Sequence, residues 1–405
     1  MNTRLDAGSP PALTEPAGRA RLDWLDSLRV ALVVLVVAHH AAQAYGPADW
    51  WYVEGGPRSG ALATFSALDG TFFMSLFFFI SAYFVPTSYD RRGGWPFVRG
   101  RLLRLGVPVL VGALTLVPAL MYSYYVHFRG YPDISVSRYF TDVYLGSGEK
   151  PADWSGPSWP DLQFGHLWFI QNLLVYSLLY AVCRLAARLA HRRTTDRGVR
   201  PRRRAPGHAA LAALVVVLTG ATFLVRLRYP LDTWVPFLDL IQVEPARVPQ
   251  YAAFFVLGIL ARRGDWLDRL PASVGRTWLT AGLIGAGLLF AVGADASFFG
   301  PGGANGASLL WSAFESLLCV ALCTGLLILF REKARWSNRF TRSLAGDSFA
   351  VYVMHVPVVV ALQFALAGHG LPALGAFSLV AAGGVLISFA AGGVLRRLPG
   401  FRRVL

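Results

Sequence analysis

The feature that most constrains this chain is a repeated one: runs of about 20 apolar residues separated by arginine-bearing segments. A helix needs roughly that many apolar residues to cross a bilayer, where each backbone polar group must be satisfied within the helix. Such runs lie at 28–46, 62–85, 102–126, 166–187, 209–225, 248–262, 277–294, 308–330, 346–367 and 372–395. They predict an all-α integral membrane protein with about ten transmembrane helices in one bundle and both termini cytoplasmic. Hydrophobic residues make up 55% of the 405 positions and charged residues 15%, too few to solvate a soluble chain of this length.

A formal net charge of +15 would suit a nucleic-acid binder, but the arginines punctuate the apolar runs instead of forming one basic face. This is the positive-inside pattern. With the N-terminus inside, the outer segments hold only Arg58, Arg129, Arg138, Lys150, Arg226, Arg228 and Arg247 of the 38 Lys and Arg. That asymmetry over alternating loops supports the helix count and a multi-pass protein of the inner (cytoplasmic) membrane. Membrane lipids are then its partners and nucleic acid is not. Residues 1–24 read as a disordered cytoplasmic tail, 25–397 as the ten-helix domain and 398–405 as a second cytoplasmic tail, with the first apolar run acting as a signal anchor. The outer connection 127–165 is expected to pack over the bundle mouth. The basic inner loop Thr194–Pro206 is expected to meet anionic headgroups. The paired, Gly/Pro-broken inverted repeats of many transporters are not evident.

Ionisable groups inside a bilayer are costly and point to function. His39 and His40 stand in the first span. Eleven residues beyond Arg29, His40 lies roughly 16 Å along the helix, which predicts a position near or just past the midplane. Adjacent side chains diverge by about 100° on a helix, so one of the two faces a given cavity. Arg101 and Arg104, at i and i+3, are expected side by side, a pair of guanidinium forks suited to a polyphosphate. His166 opens Gly165-His166-Leu167-Trp168-Phe169, where Trp168 also suits an interfacial anchor. Tyr352 and His355 share a face of the ninth span, beyond Asp347 and Ser348, whose place near the inner end suits an N-cap. Adjacent histidines lack the i, i+4 spacing of a metal site, and no Cys/His cluster accompanies them, so no metal and no permanently bound cofactor is expected. Cys319 and Cys323, one turn apart, read as small buried apolar residues.

Four segments together resemble the membrane-bound acyltransferase-3 family, which includes polysaccharide O-acetylases and glucan succinyltransferases. Asp26-Ser27-Leu28-Arg29 with His40 resembles the family's Asp-x-x-Arg and Arg-x10-His opening. Phe77 to Phe84, containing Ser81, resembles its second-span motif, with Ala82 where a glycine is usual. Arg101-Leu102-Leu103-Arg104 with Pro108 resembles its entry to the third span. The fourth segment pairs Gly165–Phe169 with Ser348, Tyr352 and His355; Ile170-Gln171-Asn172 follows where many O-acetylases carry a glutamate, which favours the glucan-type branch. The resemblance covers residues 25 to 357. It implies transfer of an acetyl or succinyl group from cytoplasmic acyl-CoA, a co-substrate, to a hydroxyl of a glycan, glycolipid or small glycoside. His40 would be the general base, since neutral imidazole can take the hydroxyl proton. Arg29, Arg101 and Arg104 would hold the CoA phosphates, and His39, Ser81, His166, Trp168, Tyr352 and His355 would line the acceptor side. The competing reading is a transporter or flippase for a lipid-linked sugar.

Overall fold

The computed structural model describes residues 22–46, 51–149, 152, 164–191, 204–237, 241–293, 302–334, 338–401 and 404. Most of the inner loop expected at Thr194–Pro206 and most of the N-terminal tail lie outside them. The chain runs α1 (Asp23–Gln43), α2 (Gly60–Gly70), α3 (Phe73–Tyr83), α4 (Val85–Arg92), α5 (Gly94–Arg101), α6 (Val107–Leu114), α7 (Leu116–Phe128) and the short α8 (Val136–Arg138). It continues through α9 (Trp168–His191), α10 (His208–Arg226), α11 (Val248–Gly264), α12 (Trp266–Arg269), α13 (Ala272–Val292), α14 (Gly306–Lys333), α15 (Arg339–Leu366) and α16 (Ala373–Leu395). A small antiparallel hairpin, β1 (Val235–Phe237) and β2 (Ile241–Val243), precedes α11.

Among the described residues, nine helical segments are long and apolar enough to cross a membrane. The tenth expected span is α11, which at 17 residues stands at the lower limit for crossing. It packs along α3, and Gly258 makes that approach: a Cβ there would meet the Phe79 carbonyl and the Ala82 methyl. Ala82 is fully buried, so at this contact the small residue that lets the backbones close is on the facing helix.

Helix α1 is central, packing on α15, α16, α14, α2 and α3. Its Leu25, Leu28, Leu32, Val36 and Val37 recur at helical spacing and are nearly inaccessible. Glycines 275, 282 and 285 of α13 similarly admit Ile328, Leu322 and Leu318 of α14.

Two spans are interrupted, at three places. Proline lacks the N–H that residue i−4 needs as donor. Ahead of Pro108, residues Leu102–Gly106 widen into a π turn. Ahead of Pro118, Thr115 leaves helical geometry at φ −130°, ψ −65°. The second span breaks between Gly70 and Phe73, with the Thr71 hydroxyl donating to the Leu68 carbonyl at 2.7 Å.

The described part of the outer connection folds back on the third span. Tyr139 rings pack against Tyr122 and Tyr125, and the Tyr144 hydroxyl donates to the Ala113 carbonyl at 2.6 Å.

Candidate active site

Both histidines of α1 lie in its final turn. The helix begins at Asp23, six residues before Arg29, and ends at Gln43, three residues after His40. Their rings diverge, with centroids 5.2 Å apart and planes at 79°.

His40 turns toward α15. Its Nδ1 lies 2.9 Å from the Val36 carbonyl and 3.1 Å from His355 Nε2. His355 Nδ1 in turn lies 2.7 Å from the Tyr352 carbonyl. A carbonyl can only accept, so each Nδ1 carries the proton. His355 Nε2 then accepts from His40, and His40 Nε2 keeps its lone pair. That nitrogen has no hydrogen-bond partner among the described residues.

The third histidine arrives through a proline effect. Pro357 sits inside α15 and leaves the Val353 carbonyl, four residues earlier, without its helical donor. His166 Nε2 fills that place at 2.9 Å, and the Tyr352 hydroxyl donates back to the His166 carbonyl. Gly165 makes the approach feasible: its φ is +47°, and a Cβ would come within 3.2 Å of the Tyr52 hydroxyl. The His166 and His355 rings are 5.2 Å apart. Trp51 covers His40, with centroids 5.7 Å apart. Its indole N–H donates to Gln363 Oε1 at 2.7 Å, and the Gln363 amide donates to the Ala41 carbonyl at 3.2 Å.

His39 faces the break in the second span. Its Nδ1 is 2.8 Å from Asp69 Oδ1, the Gln43 amide lies 3.0 Å from its Nε2, and the Phe73 ring flanks it. Asp69 is 2% exposed and sits one residue before the end of α2. The free carbonyl of Gly70 accepts from Arg247 Nη1 at 3.0 Å. Arg247 is itself held by Glu244, at 3.2 Å, and by Glu315. Glu315, wholly buried, also pairs with the buried Arg226, which donates to Ser312 Oγ at 3.1 Å. Thus a chain of alternating charge runs from α10 through α14 to the loop before α11 and fixes the carbonyl beside Asp69.

The basic end of the bundle gathers Arg92, Arg101 and Arg104. Arg101 lies over the Phe97 ring at 5.2 Å and has Arg104 and Arg92 as charged neighbours. The Arg92 guanidinium lies against Gly100. A π turn, Leu102–Gly106, carries Arg104 just beyond the end of α5. None of the three has an ion-pair partner among the described residues. From there α6 turns one face, with Val109, Gly112 and Ala113, into the bundle. A Cβ at Gly106 would touch Leu174, and Gly112 closes on Leu167, the neighbour of His166. The third span therefore links the arginines to the histidines.

The structure brings His39, His40, His166, Tyr352 and His355 together. It places the others elsewhere. Arg29 joins α1 to α15, donating to the Ala345 carbonyl at 2.7 Å and pairing with Asp26 at 3.0 Å. Ser81 is on α3, about 12 Å along the helix from Phe73, with no hydrogen bond among the described residues. Trp168 stacks on Tyr251 and meets Trp234 of the hairpin segment. Gln171 and Asn172 anchor that hairpin: Gln171 Oε1 accepts from the Gln242 N–H and the Asn172 amide donates to the Gln242 carbonyl, each at 3.0 Å. Asp69, Glu315 and Gln363 were not singled out from the sequence, although a polar or acidic residue inside an apolar run was the available signal. Arg226 and Arg247 were counted as loop charges. No group of three or more His, Cys, Asp or Glu is arranged to hold a metal ion among the described residues.

The fold and this site define a multi-pass membrane protein built around a histidine cluster. A family model described as an acyltransferase domain matches residues 22–393, and the chain belongs to that acyltransferase-3 family. No curated protein and no solved structure matches the chain.

Proposed function

We propose that this membrane acyltransferase moves an acetyl or succinyl group from cytoplasmic acyl-CoA to a hydroxyl of a glycan, glycolipid or small glycoside, with both termini cytoplasmic. The observation that carries the reading is the free lone pair on His40 Nε2, its tautomer set by the Val36 carbonyl and His355. A base so oriented takes the acceptor's proton as the oxygen attacks the thioester carbonyl. The new C–O bond forms, the C–S bond breaks, and CoA leaves as its thiolate. The resulting His40 imidazolium keeps its Nδ1–H on the same two acceptors, so no reorganisation is needed to hold the charge. His166 and Tyr352 position His355, and Trp51 shields the chamber.

The donor end would be Arg101 and Arg104, joined by Arg92, with Arg29 fixing the neighbouring helix ends. Three guanidiniums without carboxylate partners suit the phosphates of CoA. Arg101→Ala and Arg104→Ala should each weaken CoA binding about tenfold, from loss of a charged hydrogen bond of about 1.5–3 kcal/mol. The difference should shrink at high salt. Equilibrium binding of labelled CoA at two salt concentrations checks this, and unchanged affinity in both variants would remove the arginines from the donor site.

A further inference from the structure

The second histidine of the pair is held quite differently from the first. His40 Nδ1 meets a backbone carbonyl and a neutral imidazole. His39 Nδ1 meets the carboxylate of Asp69 at 2.8 Å, and Asp69 lies beside the Gly70 carbonyl that Arg247 holds at 3.0 Å. On the other side of the ring, Nε2 meets a glutamine amide at 3.0 Å. The same amide nitrogen lies 3.5 Å from the His39 carbonyl, and rotating the amide would turn its oxygen toward the ring instead. Two adjacent titratable groups in contrasting environments mark an acid and a base.

We infer that His39 is the general acid of this site, giving its Nε2 proton to the departing CoA thiolate, with Asp69 as its positioning residue. This rests on the acyl-CoA reading above. In the cycle, His40 takes the hydroxyl proton while the acceptor oxygen forms its bond to the acyl carbon. The C–S bond pair goes to sulfur, and His39 supplies the proton that makes CoA thiol. His40 then loses its extra proton to solvent and His39 regains one, restoring both residues. Gln43 holds the place at Nε2 that the sulfur takes.

The test varies the leaving group. His39→Gln and Asp69→Asn should lower transfer from acetyl-CoA by about a hundredfold, the scale of general acid catalysis. Transfer from p-nitrothiophenyl acetate, whose thiolate needs no proton, should stay within about threefold of wild type. That retained activity also shows that the variants are folded. His40→Gln should lose transfer from both donors. Equal losses on the two donors in the His39 and Asp69 variants, or no loss on acetyl-CoA, overturns the assignment. A wild-type protein that uses the aryl thioester but not acetyl-CoA overturns the donor reading instead.

Discussion

Replacing His40 by alanine should lower acyl transfer by about a thousandfold, within the range that a positioned base contributes. The fold should survive. His40 is partly exposed and in the last turn of α1, and its loss removes two hydrogen bonds worth about 1 kcal/mol each. A His355→Ala variant should fall between the two: it leaves the Val36 carbonyl to set the tautomer but removes the second acceptor of the His40 Nδ1–H. Steady-state transfer and thermal unfolding of the same purified samples separate the effects. Full turnover by a folded His40→Ala protein would leave the lone pair at Nε2 without a role.

The second large effect concerns stability. Glu315→Ala removes the one carboxylate shared by Arg226 and Arg247 and leaves two guanidiniums in the interior. Breaking a buried pair this way costs about 3–5 kcal/mol, visible as a lowered unfolding midpoint in detergent. Exchanging Arg226, Glu315 and Arg247 together for apolar residues of similar volume, with Glu244→Gln to neutralise the carboxylate that Arg247 otherwise pairs, should restore most of that stability, since no charge is left unpaired. It should not restore activity, because Arg247 would no longer hold the Gly70 carbonyl beside Asp69. Recovery of activity along with stability would make the network purely structural.

Much of this was legible because it is local. Apolar runs and their flanking arginines fix helices one at a time, and the motifs from Asp26 to His355 sit on those helices in order. What was not legible depends on partners far apart in the chain. Pro357 is plain in the sequence, but its freed carbonyl is taken by His166, on another element. Asp69 and Glu315 are visible as acids in apolar runs, yet their meaning comes from His39, Arg226 and Arg247. The π turn before Pro108 is likewise not visible in the i, i+3 spacing of Arg101 and Arg104. Arg29 marks the family's opening, but α1 begins six residues earlier, and that shift moves His40 to the helix end.

Transfer from CoA at this site is tested most directly by a proteoliposome assay with defined sidedness. Radiolabelled acetyl-CoA is supplied on the face that carries Arg101 and Arg104, together with a glycoside acceptor, and free CoA and O-acyl product are both measured. Equal amounts of the two should form, only when the donor is on that face, and both should be lost in His40→Ala. Movement of the unmodified glycoside through the bilayer, with no CoA released, would contradict it.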